Sequence, residues 1–191
     1  IAHLKRPCKF SCPVDAIYYD ENGISIIDDS KCIRCGKCVH SCPFGAIGYK
    51  SSIVDVIKAI KAGKKVYAML APATEGQFGV DITMESWKKA MKEVGFTDFI
   101  EVGLGGDLTA KYEAEEWVEA YKDGRKKVTS CCPGFVNLVR KHYPELSDMI
   151  STTVSPMCAV SRLVKAKEPD AVTVFIGPCL AKRVEAVRKG G

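Results

Sequence analysis

The sequence has no apolar run able to span a bilayer: the longest, residues 66–72, falls far short of the roughly 20 residues a membrane helix needs. No low-complexity tract interrupts it, and 47% of its residues are apolar, so a disordered chain is excluded and a real core is expected. No secretory signal is visible, although the chain opens on Ile1 rather than Met and therefore reads as a fragment. There is also no basic block. The net charge is +5, yet Lys58, Lys61, Lys64 and Lys65 interleave with apolar positions, and Lys182, Arg183, Arg188 and Lys189 form a second scattered group. Solvated helix faces explain these better than nucleic-acid binding; a basic docking surface for an acidic electron-transfer partner is compatible. The 191 residues hold one ordinary domain, or a small module plus a medium one.

Cysteine is what the chain has in excess. Six of its ten cysteines fall in the first 42 residues at short fixed spacings, and Cys131 and Cys132 are adjacent. A disulfide framework suits small secreted domains, but neighbouring cysteines do not readily bridge one another and C-x-x-C series suit a metal better. The cysteines therefore read as metal ligands in a reducing compartment, the cytoplasm. His3 and His40 lie close to them and read as solvated loop residues rather than ligands.

Shifted by 30 residues, the start of the chain matches itself. Cys8, Ser11, Cys12, Pro13, Ala16, Ile17 and Tyr19 recur as Cys38, Ser41, Cys42, Pro43, Ala46, Ile47 and Tyr49. The second copy is complete, Cys32-x-x-Cys35-x-x-Cys38-x-x-x-Cys42-Pro43, which is the bacterial ferredoxin run. Three thiolates two residues apart wrap a loop around one cubane, and Pro43 then turns the fourth toward another. Cys32, Cys35, Cys38 and the remote Cys12 are thus expected on one [4Fe-4S] cluster, and Cys42 and Cys8 on a second. A zinc site is the competing reading, and it rarely uses this order. The first copy lacks two cysteines, since Ala2 and Lys5 stand where regular spacing would put them. Either those ligands lie upstream of Ile1 or the second cluster is absent or unusual; the upstream explanation gives Cys42 a purpose.

After Tyr49 the pattern changes. Ser51 or Ser52 caps an expected helix with Ile53, Val56, Ile57 and Ile60 on one face, ending at Gly63. A buried strand follows over 66–71, then a helix over 84–94, a strand over 98–102, a helix over 108–122 and a strand over 126–130. Residues 136–142 and 159–166 read as helical, 171–176 as a strand and 181–189 as a helix. The expected architecture is an α+β ferredoxin-like module over 1–50, then an α/β domain over 51–191 with a mostly parallel sheet. Two cysteine motifs fall where such sheets collect their sites, at the carboxyl ends of strands.

Those motifs carry a resemblance. Thr129-Ser130-Cys131-Cys132-Pro133-Gly134-Phe135 resembles the first signature of the [FeFe] hydrogenases, and Pro178-Cys179-Leu180-Ala181-Lys182-Arg183-Val184-Glu185 resembles the second. Between them, Val154-Ser155-Pro156-Met157 matches the family's Ser-Pro segment. The resemblance implies an H-cluster, a [4Fe-4S] cubane joined through a shared cysteine to a diiron unit carrying carbon monoxide, cyanide and a dithiolate with a basic amine. It implies that Cys132 and Cys179 ligate the cubane, that Cys131 passes protons, and that Lys182 donates to a cyanide. It further makes Ser155 a proton relay, and anchoring on Asp107-Leu108-Thr109 makes Glu113 and Glu116 the acidic relays. Plain alternatives stand beside these roles: an inert buried thiol for Cys131, a surface lysine for Lys182 and solvated carboxylates for the two glutamates.

The family's third signature, with two more cysteines, is missing, so residues 51–191 read as the N-terminal lobe of an H-cluster domain, and cysteines are expected both before Ile1 and after Gly191. Alone, such a piece is not expected to turn over hydrogen. Phe135 stands where the family has Trp, Gly177 where it has Met, and Cys158 adds a thiol near Ser155. The leading expectation is reversible hydrogen oxidation with ferredoxin as electron carrier and with maturation proteins supplying the diiron unit. The others are a hydrogen sensor of the same fold, and an electron-transfer or cluster-assembly protein without a diiron site.

Overall fold

The 30-residue repeat reappears as two matching half-units in the structure, a computed structural model that describes residues 6–187. Each places a short helix before its Cys-Pro pair: α1 (Pro7–Phe10) and α2 (Lys37–Ser41). In each, the amide of an alanine four residues on reaches back to the cysteine sulfur at 3.3 Å, Ala16 to Cys12 and Ala46 to Cys42. Between them β1 (Ile17–Tyr19) and β2 (Ser25–Ile27) pair antiparallel, with Ile17 opposite Ile27. The Asp20 carboxylate closes their turn by accepting from the amides of Asn22 and Ile24. Few apolar side chains are buried here, namely Cys8, Ala16, Ile17 and Ile33, so the module has almost no core of its own.

The remainder is an α/β unit, as the alternation of patterns implied. β3 (Val66–Leu70) is central and pairs parallel with β4 (Asp98–Glu101) on one side and β5 (Val172–Ile176) on the other, with Ala68 opposite both Phe99 and Val174. Its side chains alternate between two packed faces. Val66, Ala68 and Leu70 meet Phe96 and Phe99, covered by Val56 and Ile60 of α3 (Ile53–Lys61) and Trp87 and Met91 of α4 (Met84–Val94). On the opposite face Met69 packs with Val102, Met157, Cys158 and Val160. That layer is built by α5 (Gly103–Lys122) and α7 (Pro156–Lys167); α6 (Pro133–His142) and α8 (Leu180–Ala186) complete the unit.

Four departures from expectation have physical causes. Residues 126–130 form no strand in the sheet: Val128 makes a single parallel bridge to Ile150, and the next amides are drawn to a side chain instead, Ser130 N donating to Glu113. α5 begins at Gly103, five residues early, because its glycines hide the helix from propensity while letting it approach α7. α7 begins at Pro156, a proline in the first turn, where its missing N–H costs nothing. In α3 only half of the expected stripe is covered, since Ile53 and Ile57 stay exposed. The end of the helix expected over 181–189 lies outside the described residues.

The α5–α7 contact generates a paired prediction. A β-carbon at Gly105 would stand 2.1 Å from the carbonyl oxygen of Pro156, whereas one at Gly106 would meet nothing within 4 Å. Gly105→Ala is expected to destabilise the chain by about 1–3 kcal/mol through overpacking. Gly106→Ala is expected to be neutral or stabilising, by up to about 1 kcal/mol. Anaerobic urea unfolding of both variants measures this; equal midpoints would refute the packing argument.

Candidate functional site

Cys12, Cys32, Cys35 and Cys38 line one cavity, floored by Pro13, Val14, Ala16, Ile17, Ile27 and Ile33. This is the set expected for the first cubane, and it excludes Cys42 and Cys8. Among the described residues no three His, Cys, Asp or Glu side chains converge tightly enough for a single metal ion. The order of the four cysteines, not the shape of the cavity, favours a cubane over zinc. Burial pushes the Cys38 thiol up, and the neighbouring Cys32 and Cys35 push it further. Cys42 is shifted down, by the backbone N–H groups of Phe44 and Ala46 that surround its sulfur. Cys8 is buried and Cys42 half-buried. They are the pair expected on a second cubane.

The two later motifs open neighbouring helices. Cys132 is the N-cap of α6 and Cys179 the N-cap of α8. The helices touch where both are thin: a β-carbon at Gly134 would lie 3.8 Å from Ala181 Cβ and 3.8 Å from Cys132 Sγ. Lys182, one turn into α8, reaches across and donates to the Cys131 carbonyl at 3.2 Å. Its ammonium also pairs with Glu185 at 3.4 Å, both side chains being largely buried. Cys132 and Cys179, the pair expected on the H-cluster cubane, thus cap two helices that touch each other.

The glutamates of α5 reach the loops that carry the first signature and the Ser-Pro segment. Glu113 accepts from Thr129 Oγ1 at 2.8 Å and from the Ser130 amide at 2.9 Å, and Thr129 Oγ1 in turn accepts from the Cys131 amide. Ser130 Oγ lies 3.3 Å from Glu113 and donates to the Thr153 carbonyl. Glu116 accepts from the Thr152 amide at 3.1 Å and from Thr153 Oγ1 at 3.1 Å. Burial opposes ionisation of Glu116, yet hydrogen bonds from Thr152, Ser151 and Thr153 outweigh it and hold the carboxyl below its ordinary value. Ser155 is off this chain of contacts. Its buried hydroxyl faces Cys158 without a conventional hydrogen-bond partner among the described residues. Ser151, Thr152, Thr153 and Glu185 are site residues that the sequence did not flag; only the hydroxyl run 151–153 just before Ser155 gave any signal.

Similarity searches bear on this geometry. The family described as iron only hydrogenase large subunit, C-terminal domain, matches residues 64–190. The chain belongs to that family. The 4Fe-4S binding domain family matches residues 25–48, covering the complete cysteine run. Iron hydrogenase 1 of Clostridium pasteurianum is 31% identical, over 98% of this chain and 44% of its own length. The cytosolic Fe-S cluster assembly factor NAR1 of Candida dubliniensis is 25% identical over 86% of this chain and 31% of its own. Among solved structures, an apo [FeFe]-hydrogenase HydA1 variant from Chlamydomonas reinhardtii superposes with a TM-score of 0.64 at 25% identity, covering 73% of this chain and 41% of that one. The chain spans about a third to a half of the length of the curated relatives it matches. It is an [FeFe]-hydrogenase-like iron–sulfur protein, and no described helix is long and apolar enough to cross a membrane.

Two measurements check the site. Replacing Cys12, Cys32, Cys35 or Cys38 singly by Ala is expected to remove about four iron atoms per chain after anaerobic reconstitution, and Cys158→Ala none. Equal iron in all five variants would refute the assignment. Glu116 has a depressed folded-state pKa, so its contribution is present above the unfolded carboxylate value and lost as pH falls through the folded one. The stability gap between wild type and Glu116→Gln should therefore be widest near neutrality and close in acid. A gap independent of pH would show that the charge is not held by these donors.

Proposed function

We propose that the protein takes part in reversible hydrogen oxidation, with residues 1–50 as a ferredoxin-type electron module and residues 51–191 as the first lobe of an H-cluster domain. The observation that carries this is that α5 fastens two carboxyl groups to the loops of the first signature and the Ser-Pro segment: Glu113 accepts from Thr129 Oγ1, which accepts from the Cys131 amide, and Glu116 accepts from Thr153 Oγ1. In that reading Cys132 and Cys179 would hold the cubane, and the diiron unit, when bound, would supply the centre at which hydrogen is split or formed. Cys131 presents its thiol as the final proton carrier, Glu113 and Glu116 serve as acidic relays, and Lys182 offers its ammonium to an anionic ligand. Ser155 was expected in the relay; in this reading Ser151, hydrogen-bonded to Glu116, takes that position, and Ser155 belongs to the wall around Cys158. Cys12, Cys32, Cys35 and Cys38 would hold the cluster that supplies one-electron transfer with a ferredoxin-like carrier in the cytoplasm, and maturation proteins would install the diiron unit.

A second reading rests on the resemblance to the cluster assembly factor: an iron–sulfur protein that never carries a diiron unit. Hydrogen sensing is a third, favoured by Gly177 and Cys158 beside the site. Intact, maturated protein given reduced viologen is expected to evolve hydrogen rapidly, with infrared bands from bound carbon monoxide and cyanide. Cys131→Ser should keep those bands while lowering the rate by about 10²-fold or more. Bands with only slow turnover would move the assignment to a sensor, and their absence after maturation would move it to the assembly or electron-transfer reading.

A further inference from the structure

α6 starts at one candidate cluster site and ends on the other. Its N-cap is Cys132. Its later side chains reach the backbone around Cys32: Asn137 Nδ2 donates to the Ile33 carbonyl at 3.4 Å, Lys141 Nζ to the Cys32 carbonyl at 2.8 Å and also to that of Asp29, and His142 Nε2 lies 2.8 Å from the Lys31 carbonyl. Asn137 and Lys141 are four residues apart and share a helix face. Three side chains of one helix thus hold the backbone of four neighbouring loop residues. α8 makes the matching contact. Leu180, directly after Cys179, packs over Gly36, directly after Cys35, so closely that a β-carbon at Gly36 would stand 2.3 Å from Leu180 Cδ1. Gly36 also has a φ of +78°, which side chains rarely adopt.

Carbonyl–ammonium contacts of this kind do more than glue surfaces together. The potential of an iron–sulfur cluster depends on nearby charge, on hydrogen bonds and on exposure. Reduction adds negative charge, so a fixed cation beside a ligand's backbone favours the reduced form. Lys141 places its ammonium on the carbonyl of Cys32, a cysteine of that loop.

We propose that α6 is a strut between the two cluster sites and that Lys141 is a positioning residue which raises the potential of the Cys12, Cys32, Cys35 and Cys38 cluster while Asn137 and His142 fix its distance from Cys132. The inference rests on the reading of these cysteines as cluster ligands. The test uses the reconstituted full chain at low ionic strength, where an exposed charge is least screened. Iron is assayed first, and the cluster is then titrated under electron paramagnetic resonance. With iron content unchanged, Lys141→Gln, which keeps a donor without the charge, should raise the oxidised-to-reduced ratio at a fixed potential about threefold. Lys141→Arg should titrate like wild type. In the maturated intact protein, the double variant Asn137→Ala/His142→Ala should weaken the spin–spin splitting between the two reduced clusters. Normal iron with an unshifted Lys141→Gln titration would overturn the electrostatic role, and unchanged splitting would overturn the strut. Wild type that takes up no iron would instead sink the ligand reading beneath both. Should Lys141→Gln fail to fold, Lys141→Met at matched iron content is titrated in its place, with the same outcome required.

Discussion

Thiols gathered around one cavity raise each other's proton affinity, and Cys38 shows the effect, being held up by burial and then by Cys32 and Cys35. Four ionised sulfurs in that space are stable only against a compensating positive charge. On the proposed reading iron would supply it, so that cluster binding and the order of this loop become one equilibrium. Among the described residues of the module, Cys8, Ala16, Ile17 and Ile33 are the buried apolar residues, which leaves it little else to fold around. The backbone adds its own contacts: amides reach the sulfurs of Cys12 and Cys42, and those around Cys42 favour its thiolate. What the module lacks in core it takes from the larger unit, through the seats that α6 and α8 give to its loop.

The larger unit can offer those seats because its sheet is buried on both sides. β3 packs Val66, Ala68 and Leu70 one way and Met69 the other, which fixes helices on both faces. β5 then delivers Cys179 just past its carboxyl end, and α8 leaves from that cysteine. Gly105 removes a side chain where α5 must come within contact of the α7 backbone, since a β-carbon there would stand 2.1 Å from the Pro156 carbonyl oxygen. A residue at Gly105 would therefore shift the start of α7, where the Ser-Pro segment lies, and not just loosen a core.

What the sequence revealed, and what it hid, follows the range of each interaction. The cysteine run was legible because a cubane imposes its spacing on residues within one loop, and the strands at 66–70 and 172–176 were legible because both are short runs rich in apolar and β-branched residues. The strand expected at 126–130 failed because its amide at Ser130 is taken by Glu113, 17 residues away, which no local pattern records. The start of α5 was hidden by glycines whose purpose is a contact with Pro156. Ser151, Thr152 and Thr153 look like an ordinary loop until Glu116, some 36 residues earlier, is placed against them. Ser155 was singled out for its neighbour Pro156, while its hydroxyl turns to Cys158.

Glu113 and Glu116 stand three residues apart on α5, where like charges repel. Two carboxylates there would weaken the helix unless each found donors elsewhere. Each does: Glu113 takes the Thr129 hydroxyl and the Ser130 amide, and Glu116 takes the Thr152 amide and the Thr153 hydroxyl. These donors come from two loops, one entering α6 at Cys132 and the other entering α7 at Pro156. The acidic pair therefore fastens both loops to a single helix, and Ser130 Oγ, donating to the Thr153 carbonyl, ties the two loops to each other. The order of the loops that carry the first signature and the Ser-Pro segment is thus a consequence of stabilising two adjacent negative charges, because the donors that satisfy the carboxylates are the same groups that hold the loops in place.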